Sequence, residues 1–255
     1  SKQLDRRLSK PPVFNDVKPN MVQDLLINAR VGREGFISAT NAHAIAEAYG
    51  LPLLIYRSAQ EAEIAVEAAE AFGYPVVVKL DSPDLPHKSD LGVLALGLNS
   101  GDEVRVACKR ILKQADESIP DISVEGLLVQ PEHQGGQEVI VGFVRDEQFG
   151  PLLMFGTGGV EVEALQDVAF ELAPLSREEA EAMIDRTQAG NKMRGFRSAG
   201  PSDREAVIDA LLRLSQLALD HENIQELEIN PLRVMPQGEG AVALDVRLRV
   251  GMVGV

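Results

Sequence analysis

Four Ser-x-x-Glu signatures punctuate the chain: Ser58/Glu61, Ser100/Glu103, Ser176/Glu179 and Ser202/Glu205. In such a capping box the hydroxyl accepts a backbone N–H while the Glu side chain returns to the cap residue. Each heads an apolar-periodic stretch, which predicts helices over 59–72, 101–117, 177–188 and 203–221. A further helix over 38–49 stops at Gly50, a residue suited to a left-handed C-cap. Between the helices lie aliphatic, β-branched runs: LPLLIY (51–56), YPVVVKL (74–80), GVLALGL (92–98), ISVEGLLVQ (122–130), EVIVGFVR (138–145) and GPLLMF (150–155). ELEINPLRVM (226–235) and GAVALDVRLRV (240–250) form a final pair across PQGE. Helices interleaved with strands, then a meander of adjacent strands, predict an α/β chain whose mixed sheets carry helices on their faces. Two sheets, hence two subdomains, fit this order better than one.

The 255 residues suffice for a large core without a disulfide or metal staple. A formal charge of −14 argues against nucleic acid or an anionic membrane surface as partner. It leaves room for a small anionic ligand held by a few local donors. The single cysteine, Cys108, forms no intrachain disulfide, and with no apolar signal core in SKQLDRRLSK a cytoplasmic setting is expected. No run reaches the ~18 apolar residues of a membrane helix. Residues 1–33, broken by Pro11, Pro12 and Pro19, read as a lead-in or linker, and a chain beginning at Ser1 without Met reads as processed or cut from something longer. The expected divisions are 34–130 and 131–255.

Five places carry candidate chemistry. In ELEINP, Glu228 and Asn230 project from one strand face while Leu227 and Ile229 point the other way. If the last two segments pair, Asp245 reaches that face. Such oxygen donors suit Mg²⁺ with nucleotide phosphates, or they form a solvated polar face. Lys79, within the apolar VVVKL, needs an anion, either a carboxylate or a ligand phosphate, because a buried lone ammonium is costly. His87, in SPDLPHKSDLG, is either a surface loop residue or a phosphoryl acceptor. Gly156, Gly158 and Gly159 follow a strand, in a turn whose N–H groups can cradle phosphate, although ordinary tight turns look alike. Lys192, Arg194 and Arg197 gather on a Gly-flanked loop and meet either phosphates or nearby carboxylates.

Taken in order, YPVVVKLDSPDLPHKSDLG, LLVQ, EVIVGFVRDEQFGPLLMFGTGG, RGFR and LEINPL followed by ALDV resemble the ATP-grasp domain of NDP-forming acyl-CoA synthetases. The likeness covers about residues 34–250. Two branches share it: the β subunit of ADP-forming acetyl-CoA synthetase, and the synthetase-like region of bacterial protein lysine acetyltransferases. The resemblance implies an ATP-grasp fold of two subdomains with a nucleotide cleft between them. It implies ATP or ADP with Mg²⁺ as cofactors, Lys79 on the phosphates, and Asn230 and Asp245 as metal ligands with Glu228 beside them. It further implies Val129 and Gln130 at the adenine, Glu138 as a polar nucleotide contact, Gly158, Gly159 and Arg197 at the nucleotide, and His87 as a transiently phosphorylated histidine. One departure is visible: the family loop more often reads HKSD-x-G-G, whereas Gly92 is followed here by Val93. No CoA-binding Rossmann segment is evident, so the resemblance implies a CoA-binding, CoA-ligase α subunit or domain as partner. The alternative is a regulatory ATP-grasp module of a multidomain acetyltransferase.

Overall fold

The computed structural model describes residues 10–85, 92–118, 120–159, 167–195 and 200–251. The chain divides into two compact units: Asn28–His43 with Leu54–Gln134, and Ser1–Ile27 with Ala44–Leu53 and Gly135–Val255.

The smaller unit contains β1 (Arg57–Ala59), α3 (Ala62–Phe72), β2 (Val76–Asp81), β3 (Leu94–Leu98), α4 (Gly101–Ser118) and β4 (Gly126–Pro131); before them in the chain come α1 (Pro19–Asn28) and α2 (Ala39–Ala48). Its sheet has the antiparallel order β1-β4-β2-β3. Val76, Val78 and Leu80 of β2 and Leu127 and Val129 of β4 alternate into one core with Ala65, Ala68 and Ala69 of α3 and Val104, Cys108 and Ile111 of α4. The alanines keep α3 close to the sheet. β2 is buried along its whole length, so Val77, Lys79 and Asp81 are covered on the face away from α3 and α4. There Asp81 accepts hydrogen bonds from the N–H of Ala39 (2.7 Å) and the hydroxyl of Thr40, capping α2.

The larger unit contains β5 (Gln137–Asp146), β6 (Gly150–Thr157), β7 (Val168–Leu172), α5 (Arg177–Asp185), α6 (Gln188–Lys192), α7 (Arg204–Asp220), β8 (Ile224–Val234), β9 (Ala241–Ala243) and β10 (Val246–Val250). Its order is β10-β8-β5-β6-β7, with β9 also on β8, all antiparallel. Val139, Val141, Phe143, Leu153, Phe155, Leu227 and Ile229 point to one buried side, and α7 packs on β5, β6 and β8.

Local signals fare unevenly. Ser176 and Glu179 form both bonds of their capping box. Ser100 accepts the Glu103 N–H, but the Glu103 carboxylate takes the N–H of Asn99 instead. The other two boxes are corrected: Ser58 lies in β1 and α3 begins after Glu61 without a side-chain cap, and α7 is capped by Asp203, one residue after Ser202. LPLLIY forms no strand, only a parallel bridge from Leu53 to Ala243. The strand β7 was not foreseen, because Val168–Leu172 is short and half exposed.

His221, at the end of α7, is buried, and neither ring nitrogen has a hydrogen-bond partner among the described residues. Burial pushes its imidazole below the ordinary value of 6.5, Asp220 pulling weakly the other way. The unfolded chain therefore takes up this proton first as pH falls below about 6.5, and stability is lost in that direction. Urea titrations of wild type and His221→Phe between pH 7 and 5.5 should differ, the variant losing less stability on acidification.

Candidate active site

Three of the foreseen residues lie in the smaller unit. Lys79, in the middle of β2, is opposite Leu128 of β4 and Leu94 of β3, and it is only 8% exposed. Gln130 lies opposite Val77, and strand alternation puts its side chain on the same face as Lys79. It is 1% exposed, and its Nε2 has no hydrogen-bond partner among the described residues. Buried side-chain donors are nearly always paired, so a ligand acceptor at this amide is chemically apt. Val129 differs. Its side chain belongs to the helix-packed core, and its main chain runs between β1 and β2.

The larger unit gathers a second set on the sheet face away from α7. Between Val141/Ile229 and Val139/Leu232 the β5–β8 register shifts, so β8 holds one extra residue at Asn230–Pro231. Such a bulge re-aims a side chain at the point where pairing is interrupted. Opposite it, the second ribbon strand breaks between β9 and β10, at Leu244–Asp245. The two breaks are stitched together: the Asn230 N–H donates to the Asp245 carbonyl at 3.2 Å, and the Leu244 N–H to the Pro231 carbonyl at 3.1 Å. Asn230 Oδ1 accepts the N–H of Gly159 at 2.9 Å, and the Gly158 N–H donates to the Glu138 carbonyl at 3.2 Å. Added methyl groups explain the glycines, since a Cβ at Gly158 would press into the Val139 backbone and one at Gly159 into the Glu138 carboxylate. Gly158, Gly159, Glu138, Asn230 and Asp245 thus form one neighbourhood.

The oxygen donors of Asn230 and Asp245 fit a hard cation such as Mg²⁺. An amide oxygen has two lone pairs, so the bond from Gly159 leaves one for a metal. Glu228, by contrast, is held by an ion pair with Arg247, its cross-strand neighbour. Glu138 pairs with Arg233 at 2.8 Å, again directly across the strands. Sequence reading missed both arginines, although alternation in RLRV and NPLRV places them on the outward face. Of the loop cations, Arg194 pairs with Asp185 at 2.8 Å. His87 and Arg197 lie outside the described residues.

A family model described as an ATP-grasp domain matches residues 28–250. The chain belongs to the ATP-grasp domain family. This ATP-grasp chain is 39% identical over 208 residues to the β subunit of acetate–CoA ligase [ADP-forming] II from Pyrococcus furiosus, covering 81% of this chain and 88% of the subunit. It is 42% identical over 221 residues to acetate–CoA ligase [ADP-forming] I from Archaeoglobus fulgidus, covering 87% of this chain but 31% of that protein. These relatives are ADP-forming acyl-CoA ligases, which are acid–thiol ligases. Among solved structures, the Ca. Korarchaeum cryptofilum dinucleotide-forming acetyl-coenzyme A synthetase 1, in complex with coenzyme A, Ca-AMPCP and HgCl⁺, superimposes with a TM-score of 0.83 at 37% identity, covering 91% of this chain and 99% of that one. Another structure of that enzyme, with coenzyme A and Mg-AMPPCP and its phosphohistidine segment pointing towards the nucleotide binding site, gives a TM-score of 0.74 at 35% identity, with coverage of 91% and 99%. Among the described residues no helix is long and apolar enough to cross a membrane.

Proposed function

We propose that this chain is the nucleotide-binding, phosphoryl-transfer subunit or domain of an ADP-forming acyl-CoA synthetase, serving ATP + acid + CoA = acyl-CoA + ADP + Pi in the cytoplasm. The observation that carries it is the juxtaposition of the Gly158–Gly159 turn with Asn230 and Asp245 at two matched strand breaks. Hard oxygen donors gathered beside a glycine turn suit a metal-bound polyphosphate.

Asn230 and Asp245 hold Mg²⁺, with Glu228 kept beside them by Arg247. When bound, the metal neutralises phosphate charge. Lys79 adds a positive charge from a dry strand, where Coulomb interactions are least screened. Gly158 and Gly159 hold the turn against Glu138 and Asn230 beside the metal pair, and Arg197 supplies a further cation. Gln130 offers its amide, and the Val129–Gln130 main chain its polar groups, to the base. Glu138, steadied by Arg233, takes a nucleotide hydroxyl. His87 is the phosphoryl acceptor: its imidazole nitrogen forms a bond to the γ-phosphorus as the bond to the β,γ-bridging oxygen breaks and ADP leaves with that electron pair. The CoA and acid sites belong to an α subunit or domain, as the relatives' designation as β subunits supports.

Calorimetry of the nucleotide alone tests the assignment of the metal pair. ATP should bind at least about tenfold more tightly with Mg²⁺ than with EDTA. Equal binding in both, or none, would contradict it.

A further inference from the structure

We propose that Asp167, which the mechanism above does not use, is a positioning residue for the metal–phosphate site: one carboxylate clasps the glycine turn to the first turn of α6 and so sets the Gly159 N–H against Asn230. The inference rests on the nucleotide reading just given.

Asp167 Oδ2 accepts the Thr157 hydroxyl at 2.8 Å and the Ala189 N–H at 2.9 Å, while Oδ1 accepts the Gln188 N–H at 2.8 Å. Its main-chain carbonyl accepts the Thr157 N–H at 3.1 Å. Thr157 is thus gripped twice by one residue, by main chain and side chain. Burial alone would raise the carboxyl pKa, but the two N–H donors and the hydroxyl outweigh it and hold the group below the usual carboxylate range. The group stays ionised and acceptor-only.

What it grips matters. Thr157 is buried, ends β6 and directly precedes Gly158 and Gly159, whose N–H groups go to the Glu138 carbonyl and Asn230 Oδ1. On the other side, Gln188 and Ala189 open α6, which runs to Lys192. The Ala189 carbonyl also accepts from Gln137 Nε2 at 2.8 Å, beside Glu138 at the start of β5. Asp167 therefore closes a ring through Thr157, Gly158, Glu138, Gln137 and α6, and Gly159 links that ring to Asn230. Only an ionised carboxylate accepts from all three donors at once; an amide in its place turns an NH₂ toward an N–H. Loss of the clasp frees the turn, and the Asn230 amide then loses the donor that orients its oxygen. Groups that orient a metal ligand without touching the metal typically govern affinity by about 10- to 100-fold.

The test uses Asp167→Asn and, as a milder change that leaves the carboxylate on α6, Thr157→Val. In the nucleotide-free chain the Gly159 amide should exchange with deuterium faster in both variants. By calorimetry, Asp167→Asn should weaken Mg·ATP binding about tenfold while leaving ATP in EDTA within about twofold. Combined with Asn230→Ala it should add little further loss, because both act through one ligand. Should Asp167→Asn fail to fold, Thr157→Val carries the comparison with the same signs. Equal weakening with and without Mg²⁺, additive losses with Asn230→Ala, or a lowered melting temperature with unchanged affinity would each overturn the proposal. A wild-type chain whose ATP binding ignores Mg²⁺ would instead overturn the functional reading itself.

Discussion

Lys79→Met should retain the fold and lose phosphoryl transfer by about a thousand-fold. Methionine keeps most of the aliphatic length that fills the middle of β2, so the packing around a residue only 8% exposed is largely preserved. What disappears is the ammonium. It lies on the sheet face shared with Gln130, away from α3 and α4, where little water screens it. One charge–phosphate interaction in a dry site is worth about 3–4 kcal/mol when it strengthens toward the transition state, which is two to three decades of rate. Single-turnover transfer from ATP measures the rate, and thermal unfolding checks the fold. A variant that keeps more than a tenth of the wild-type rate would show that the lysine serves packing alone.

The second large effect concerns Asn230. Asn230→Ala removes the acceptor of the Gly159 N–H and one proposed metal ligand in a single step. Mg·ATP affinity should fall by about a hundredfold, and the orphaned N–H adds roughly 1–2 kcal/mol of instability. Asn230→Asp keeps an oxygen at the same place and should stay within about tenfold of wild type. The ordering Asn > Asp > Ala in calorimetry separates a ligand role from a purely structural one. If all three bind Mg·ATP alike, the metal does not sit at this bulge.

The elements that the sequence announces are those whose signal is local. Aliphatic, β-branched runs made β2, β4 and β5 readable, and alternation β8, where Leu227 and Ile229 against Glu228 and Asn230 divide between the two faces as their spacing requires. Ser176/Glu179 worked because both partners lie within one helical turn. The failures have non-local causes. Ser58 is drawn into β1 by pairing with Leu128, a residue seventy positions later in the chain. Asp203 displaced Ser202 as the cap because its other oxygen also accepts from Gly238 and Gly240 across the unit.

The same division governs the site. Candidates lying on motifs, namely Lys79, Gly158, Gly159 and Asn230, were visible from residue type and strand position. Their partners were not. Arg247 for Glu228 and Arg233 for Glu138 follow only from the register, and the three donors to Asp167 come from segments ten to twenty-two residues away. Asp81, which no sequence motif singles out, is 1% exposed and caps α2. Candidate ligand-binding side chains leave a mark in the sequence pattern; the residues paired with them are set by tertiary contacts.

Incubation with γ-labelled ATP and Mg²⁺, followed by acid and base treatment of the denatured chain, reaches the central claim most directly. A phosphoimidazole is acid-labile and base-stable. Wild type should carry such label, whereas His87→Ala, or wild type in EDTA, should carry none. Wild-type chain that binds Mg·ATP to saturation yet stays unlabelled would contradict the account and leave a nucleotide-binding module without transfer chemistry.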